Sequence, residues 1–159
     1  MFMKRAVNCG LVKADNMKQA ILLLSFGTPR QPSDLLPYLT SIRRGKIPTE
    51  RELEALTARY DAIGQWHNKL LQTMGEEQKK TLESLLKIDA MYLAYLHMPN
   101  SMEQAVGSIA AAGYTSILCI VTSPFYSMVG TGAYERKLHS ILRAYPDISC
   151  EIIKSWWNR

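Results

Sequence analysis

The chain has 159 residues, with 19 Lys and Arg against 14 Asp and Glu for a formal charge of +5, and is sized for one domain rather than two full ones. Hydrophobic residues make up 47% and charged residues 21%, which excludes disordered and fibrous classes. The best apolar runs, Ala20 to Leu24 and Ile117 to Val121, are strand-sized and far short of the ~18 residues that a membrane span needs. Cys9, Cys119 and Cys150 form neither a C-x-x-C nor a disulfide framework, so a soluble, reduced, cytoplasmic domain is expected. Basic residues are scattered apart from Arg43-Arg44-x-Lys46 and do not alternate with aromatics. Nucleic acid is therefore not expected, and a small anion is the better ligand class.

Residues 1–16 have no clear period, and their apolar stretch is broken at Asn8 with no small-residue cleavage site after it, so they are not a signal peptide. They read as an amino-terminal extension, with Met17 a candidate start and 17–159 the domain. Residues 20–25 are a continuous apolar run ending in Phe26-Gly27-Thr28-Pro29, the pattern of a buried parallel strand and a turn. Leu35, Leu36, Leu39 and Ile42 fall at helical spacing within Gln31 to Arg43, which Gly45 and Pro48 close. Thr49-x-x-Glu52 is a capping box, and Leu53, Leu56, Tyr60 and Ile63 give the helix behind it an apolar face until Gly64. Met74 to Ile88 is predicted as a third helix, with Leu82, Leu85 and Leu86 inward and Glu76, Glu77, Lys79 and Lys80 outward.

From Asp89 the pattern alternates. A strand is predicted over Ala90 to Leu96, then a helix over Ser101 to Ala112 with Met102, Ala105, Val106 and Ile109 on one face and Gly113 as its stop. Ser116 to Thr122 is a strand, Gly132 to Tyr145 a helix and Ile148 to Lys154 a strand. Strands separated by helices imply an α/β fold, a four-stranded parallel sheet with helices on both faces. Ligands of such sheets sit beyond the carboxyl ends of the strands, here Ser25 to Pro29, Leu96 to Pro99 and Thr122 to Thr131.

Those segments carry no dinucleotide fingerprint and no P-loop, since the first turn has one glycine and no lysine. His67, His97 and His139 have no metal-ligand spacing with one another or with the cysteines. Cys119, in mid-strand, reads as a small buried apolar residue. No Ser-x-x-Lys or Gly-x-Ser-x-Gly is present for covalent catalysis. Pattern alone thus reaches an α/β domain with a ligand site at its strand ends and arginines nearby.

Several motifs then carry a resemblance: Leu22-Leu23-Leu24-Ser25-Phe26-Gly27-Thr28-Pro29, Pro37-Tyr38-Leu39, Ile42-Arg43-Arg44-Gly45, Leu56-x-x-Arg59-Tyr60-x-x-Ile63-Gly64 and Ala105-Val106. In this order they resemble the amino-terminal half of the ferrochelatase family, most closely its monomeric Gram-positive type, which inserts iron into coproporphyrin III. Ser123-Pro124-Phe125-Tyr126-Ser127, with Tyr134 after it, is similar to the family's second porphyrin-side loop, and Ser155-Trp156-Trp157 to the passage into its second domain. The resemblance runs from about residue 19 to 157. It implies a Rossmann-like, chelatase-like fold and a place in haem biosynthesis. Ferrous iron would be a substrate, with no permanently bound cofactor, and the porphyrin partner would be coproporphyrin III or protoporphyrin IX.

The resemblance also implies roles. Arg43 and Arg59 match positions facing the porphyrin or its propionates, and a guanidinium fork suits a carboxylate. Tyr60 and Tyr134 match porphyrin-side positions, and His97 matches a cleft histidine linked to metal delivery, a candidate accessory metal site. Phe26 stands where the coproporphyrin type often carries an iron-ligating tyrosine; its ring can stack on a macrocycle but cannot ligate. In Gly64-Gln65-Trp66-His67-Asn68-Lys69-Leu70 the family's Gly-Gly-x-Ser-Pro-Leu is altered, and His67 offers a new polar contact to the porphyrin. The family's metal-handling histidine and glutamate belong to its second half, so no catalytic residue is assigned to this chain. The first expectation is a truncated ferrochelatase, inactive alone, whose second half is missing or separately supplied. The alternatives are a non-catalytic tetrapyrrole-binding half-domain and a small self-dimerising chelatase relying on His97 and His139.

Overall fold

A computed structural model describes residues 18–64, 66, 70–88 and 90–157. The proposed extension, the candidate start at Met17, and Gln65, His67 and Asn68 lie outside the described residues. In chain order the elements are β1 (Gln19–Ser25), a 3-10 turn (Pro32–Asp34), α1 (Leu35–Ile42), α2 (Glu50–Ala62), α3 (Leu70–Leu86) and β2 (Met91–Tyr95). They continue with α4 (Ser101–Ala111), β3 (Ser116–Val121), α5 (Thr131–Leu142) and β4 (Ser149–Ile153). The four strands form one parallel sheet in the order β2-β1-β3-β4.

The central position of β1 explains its unbroken apolar sequence, because both of its faces are covered. Ala20, Leu22 and Leu24 lie on one face with Ile117, Cys119 and Val121 of β3. Met102, Ala105, Val106 and Ile109 of α4, and Tyr134 and Leu138 of α5, close over them as the main core. On the other face α3 packs on β2 through Gly75, where an added Cβ would lie 3.2 Å from both Leu93 Cδ2 and Tyr95 Oη. Leu23 and Ile120 meet Met74 and Leu82 of α3 across an apolar groove of about 630 Å³, with Trp156 also lining it.

Two expectations about buried stripes need correction. Leu85 and Leu86, read as inward, are exposed, Leu85 at 72% of its surface, while Leu82 is half-buried. Helix α3 also begins at Leu70 rather than Met74. In α2 no residue is buried, and Ile63 beyond its end is 66% exposed, although Leu53, Leu56 and Tyr60 are half-buried. The cause is the same in both helices: period shows that a stripe exists, whereas burial needs a partner element. Helix α2 packs on α1 alone to any extent, and the last turn of α3 has no cover among the described residues.

Candidate functional site

The carboxyl ends of β1 and β2 are held together by the ladder running past them. Leu96 N–H donates to Ser25 O at 2.9 Å, and His97 N–H to Phe26 O at 3.1 Å. Gly27 makes this close approach possible: its φ is +88°, and a Cβ there would stand 2.9 Å from Met98 Cγ and from Tyr95 Cβ. The segments after the two strands therefore run side by side and bring their side chains into contact. The Phe26 and His97 rings lie 4.4 Å apart between centroids, edge to face, and Tyr38 of α1 stands 6.5 Å from Phe26 and 6.3 Å from His97.

Hydrogen bonds from the helices complete the group. Ser41 Oγ and His97 Nδ1 share one of 2.9 Å. Burial, aided by the positive charge of Lys137, lowers the His97 pKa below its usual 6.5, so the imidazole is neutral at pH 7. The Tyr38 phenol is pushed well up, first by burial and then by the neighbouring Tyr60. Tyr60 in turn meets the indole of Trp66 edge to face at 5.4 Å, and Trp66 Nε1 donates to Asp61 Oδ1.

These residues border a cavity of about 860 Å³ lined by Phe26, Gly27, Thr28, Tyr38, Tyr60, Gln72, Glu76, Tyr95 and Met98, among others. Gln72 reaches it from α3: its Nε2 donates to Thr28 O at 3.3 Å, and its Oε1 is buried with no hydrogen-bond partner among the described residues. A large pocket that sets four aromatic rings, those of Phe26, Tyr38, Tyr60 and Tyr95, among polar side chains at the carboxyl ends of parallel strands is the expected geometry of a ligand site.

Phe26 and Tyr60 line this cavity, and His97 packs against Phe26 beside it. Arg43 is not among the lining residues; it sits in a shallow concavity with Ile42, Arg44, Lys46 and Glu52. Its guanidinium is engaged by Glu52 through two bonds, Nη1 to Oε2 at 2.8 Å and Nη2 to Oε1 at 2.7 Å. Arg59 is exposed in the last turn of α2, and His139 is exposed in the last turn of α5. Tyr134 is 5% exposed within the core under α5, where burial pushes its phenol up to about 12. His67 lies outside the described residues.

Sequence reasoning gave no functional weight to Ser41, Glu52 or Gln72, and quoted Tyr38 only within a motif. Glu52 carried a signal in its capping box, but nothing local indicates that the same carboxylate also holds Arg43. The Thr122–Thr131 segment is pinned from within and from the chain's end. Thr131 Oγ1 donates to Phe125 O at 2.9 Å, Ser155 Oγ to Pro124 O at 3.2 Å, and Trp156 Nε1 to Val121 O at 2.9 Å. No group of three His, Cys, Asp or Glu among the described residues is placed to hold a metal, and no described helix is long and apolar enough to cross a membrane.

The sequence profile of the ferrochelatase family matches residues 18–159. The coproporphyrin III ferrochelatase of Staphylococcus epidermidis is 35% identical over 122 residues, covering 74% of this chain and 39% of that protein. That of Staphylococcus aureus is 34% identical over 125 residues, covering 76% of this chain and 40% of that protein. The chain thus spans about two fifths of the length of these relatives.

Proposed function

The chain belongs to the ferrochelatase family, and on that footing we propose that it holds the porphyrin in a ferrochelatase reaction of haem biosynthesis, the insertion of ferrous iron into a tetrapyrrole. The observation that carries this reading is the convergence of Phe26, Tyr38, Tyr60 and His97 at the strand ends beside an 860 Å³ cavity. A porphyrin is a broad apolar plate, and aromatic edges and faces recognise such a plate through area and quadrupole. Its propionates need cations, which Arg43 supplies from the α1–α2 junction and Arg59 from α2. Coproporphyrin III is the favoured substrate, by similarity to the named relatives; protoporphyrin IX is the second.

Insertion requires that the two pyrrole protons leave as the ferrous ion enters. The residues described here bind and orient the macrocycle, and none is assigned to take those protons. Phe26 stacks without ligating, because a phenyl ring offers no donor atom. His97, neutral at pH 7, is in the state that can accept a ferrous ion or a proton, and Ser41 fixes its ring.

The test is titration of the purified chain with coproporphyrin III, read by the Soret band and by quenching of tryptophan fluorescence. Saturable binding that weakens in Phe26→Ala and Tyr60→Ala, each by about 5- to 30-fold for the loss of ~1–2 kcal/mol of aromatic contact, is the expected result. A folded chain that binds no porphyrin overturns the reading. Addition of ferrous iron under anaerobic conditions then separates the roles: turnover places a proton-taking group within this chain, and binding without turnover leaves it a holding domain.

A further inference from the structure

Arg43, proposed above to meet a propionate, is already engaged by a carboxylate of the protein itself. Glu52 approaches Arg43 in the parallel two-bond geometry that a ligand carboxylate would adopt, at 2.7 and 2.8 Å. Arg44 and Lys46 line the same concavity, so three cations share it with one carboxylate. We propose that Glu52 is a specificity-determining residue, an internal carboxylate that fills the Arg43 fork until a carboxylate of the tetrapyrrole displaces it. This rests on the porphyrin-holding function above and concerns the same ligand.

Three features support exchange rather than a fixed structural pair. The pair is solvent-accessible, and exposed ion pairs contribute little, so displacement costs little. Glu52 also does not depend on Arg43 to stay in place: its Oε2 accepts from Thr49 N–H at 2.8 Å and from Thr49 Oγ1 at 2.9 Å, and α2 keeps its cap after the arginine has left. Finally, Arg43 and these Thr49 bonds hold the carboxyl down to about 2, so Glu52 is ionised at neutral pH and competes as a full charge. A ligand with a single carboxylate would only replace like with like. One with several gains at Arg44 and Lys46 as well, which makes the exchange selective for polycarboxylates.

Coproporphyrin III affinity is to be measured for the native chain, Glu52→Gln, Arg43→Ala and the double variant; glutamine preserves the cap's hydrogen-bonding shape. Glu52→Gln is expected to bind about 2- to 5-fold more tightly, as the loss of an exposed competing pair allows, and the gain is expected to vanish without Arg43. Unchanged or weaker binding by Glu52→Gln, or a gain that survives Arg43→Ala, overturns the proposal. A second readout is independent of porphyrin: benzene-1,2,4,5-tetracarboxylate titrated into chain labelled with carbon-13 at glutamate carboxyls. Movement of the Glu52 carboxyl signal, absent in Arg43→Ala, supports the exchange even if no variant binds porphyrin, an outcome that would defeat the functional reading alone. A Glu52 signal that stays still overturns the exchange.

Discussion

His97 shows how a side chain acquires its chemistry from neighbours distant in sequence. Its backbone joins it to Phe26, its ring meets Tyr38, and its Nδ1 is tied to Ser41, 56 residues earlier. Burial and the charge of Lys137 both disfavour the imidazolium, so the folded chain releases the proton at lower pH than the unfolded chain does. The sign follows by linkage: the contribution of His97 to stability is fully present above the ordinary value of 6.5 and is lost as pH falls through the lowered folded value. Denaturant unfolding from pH 7.5 to 5, with His97 followed by proton NMR, is expected to show that loss together with a midpoint below 6.5. Lys137→Met removes the second cause and is expected to move the midpoint back up while leaving it below 6.5, since burial remains the larger cause. The candidacy of His97 came from the family resemblance, which matches it to a cleft histidine. Its partners were not legible in the sequence, because hydrogen bonds across 56 residues leave no local pattern.

At the scale of elements, α2 separates what is local from what is not. Its start was readable, because the Thr49–Glu52 capping box is made within four residues and is present in both directions. Its burial was not, and the apolar stripe over Leu53, Leu56 and Tyr60 is only half covered. A helix with no buried residue relies chiefly on its cap, with Tyr60 meeting Trp66 and the exposed Arg43–Glu52 fork adding little. Thr49→Ala is therefore expected to cost about 1 kcal/mol, confined to α2. Hydrogen exchange is the measurement that resolves it: α2 amides are expected to exchange roughly fivefold faster, with those of central β1 unchanged. The contrast is α4, whose four apolar residues all reach the core as their spacing predicts, because an adjacent sheet face receives them.

For the whole molecule, the main core and the exposed surface lie on different parts of the sheet. Helices α4 and α5 close one face, whereas the end of β3 carries an exposed apolar group: Phe125, Met128 at 73%, Val129 at 68%, and Trp157 with its ring 6.0 Å from that of Phe125. Large apolar side chains exposed together in one segment mark an interaction site or an aggregation liability. The native chain is expected to bind the dye ANS, and Met128→Lys with Val129→Lys to reduce that fluorescence without lowering Tm, since neither side chain is buried.

The class of fold, the position of nearly every strand and helix, and the strand ends that border the cavity could all be read from the chain. They rest on periods, caps and turn residues whose physics acts within about four residues. The placing of β1 at the centre, the bare stripes of α2 and α3, the buried oxygen of Gln72 and the filling of the Arg43 fork by Glu52 could not. Each depends on which distant segment comes to lie alongside, and that is set by packing over the whole sheet rather than by any neighbour in sequence.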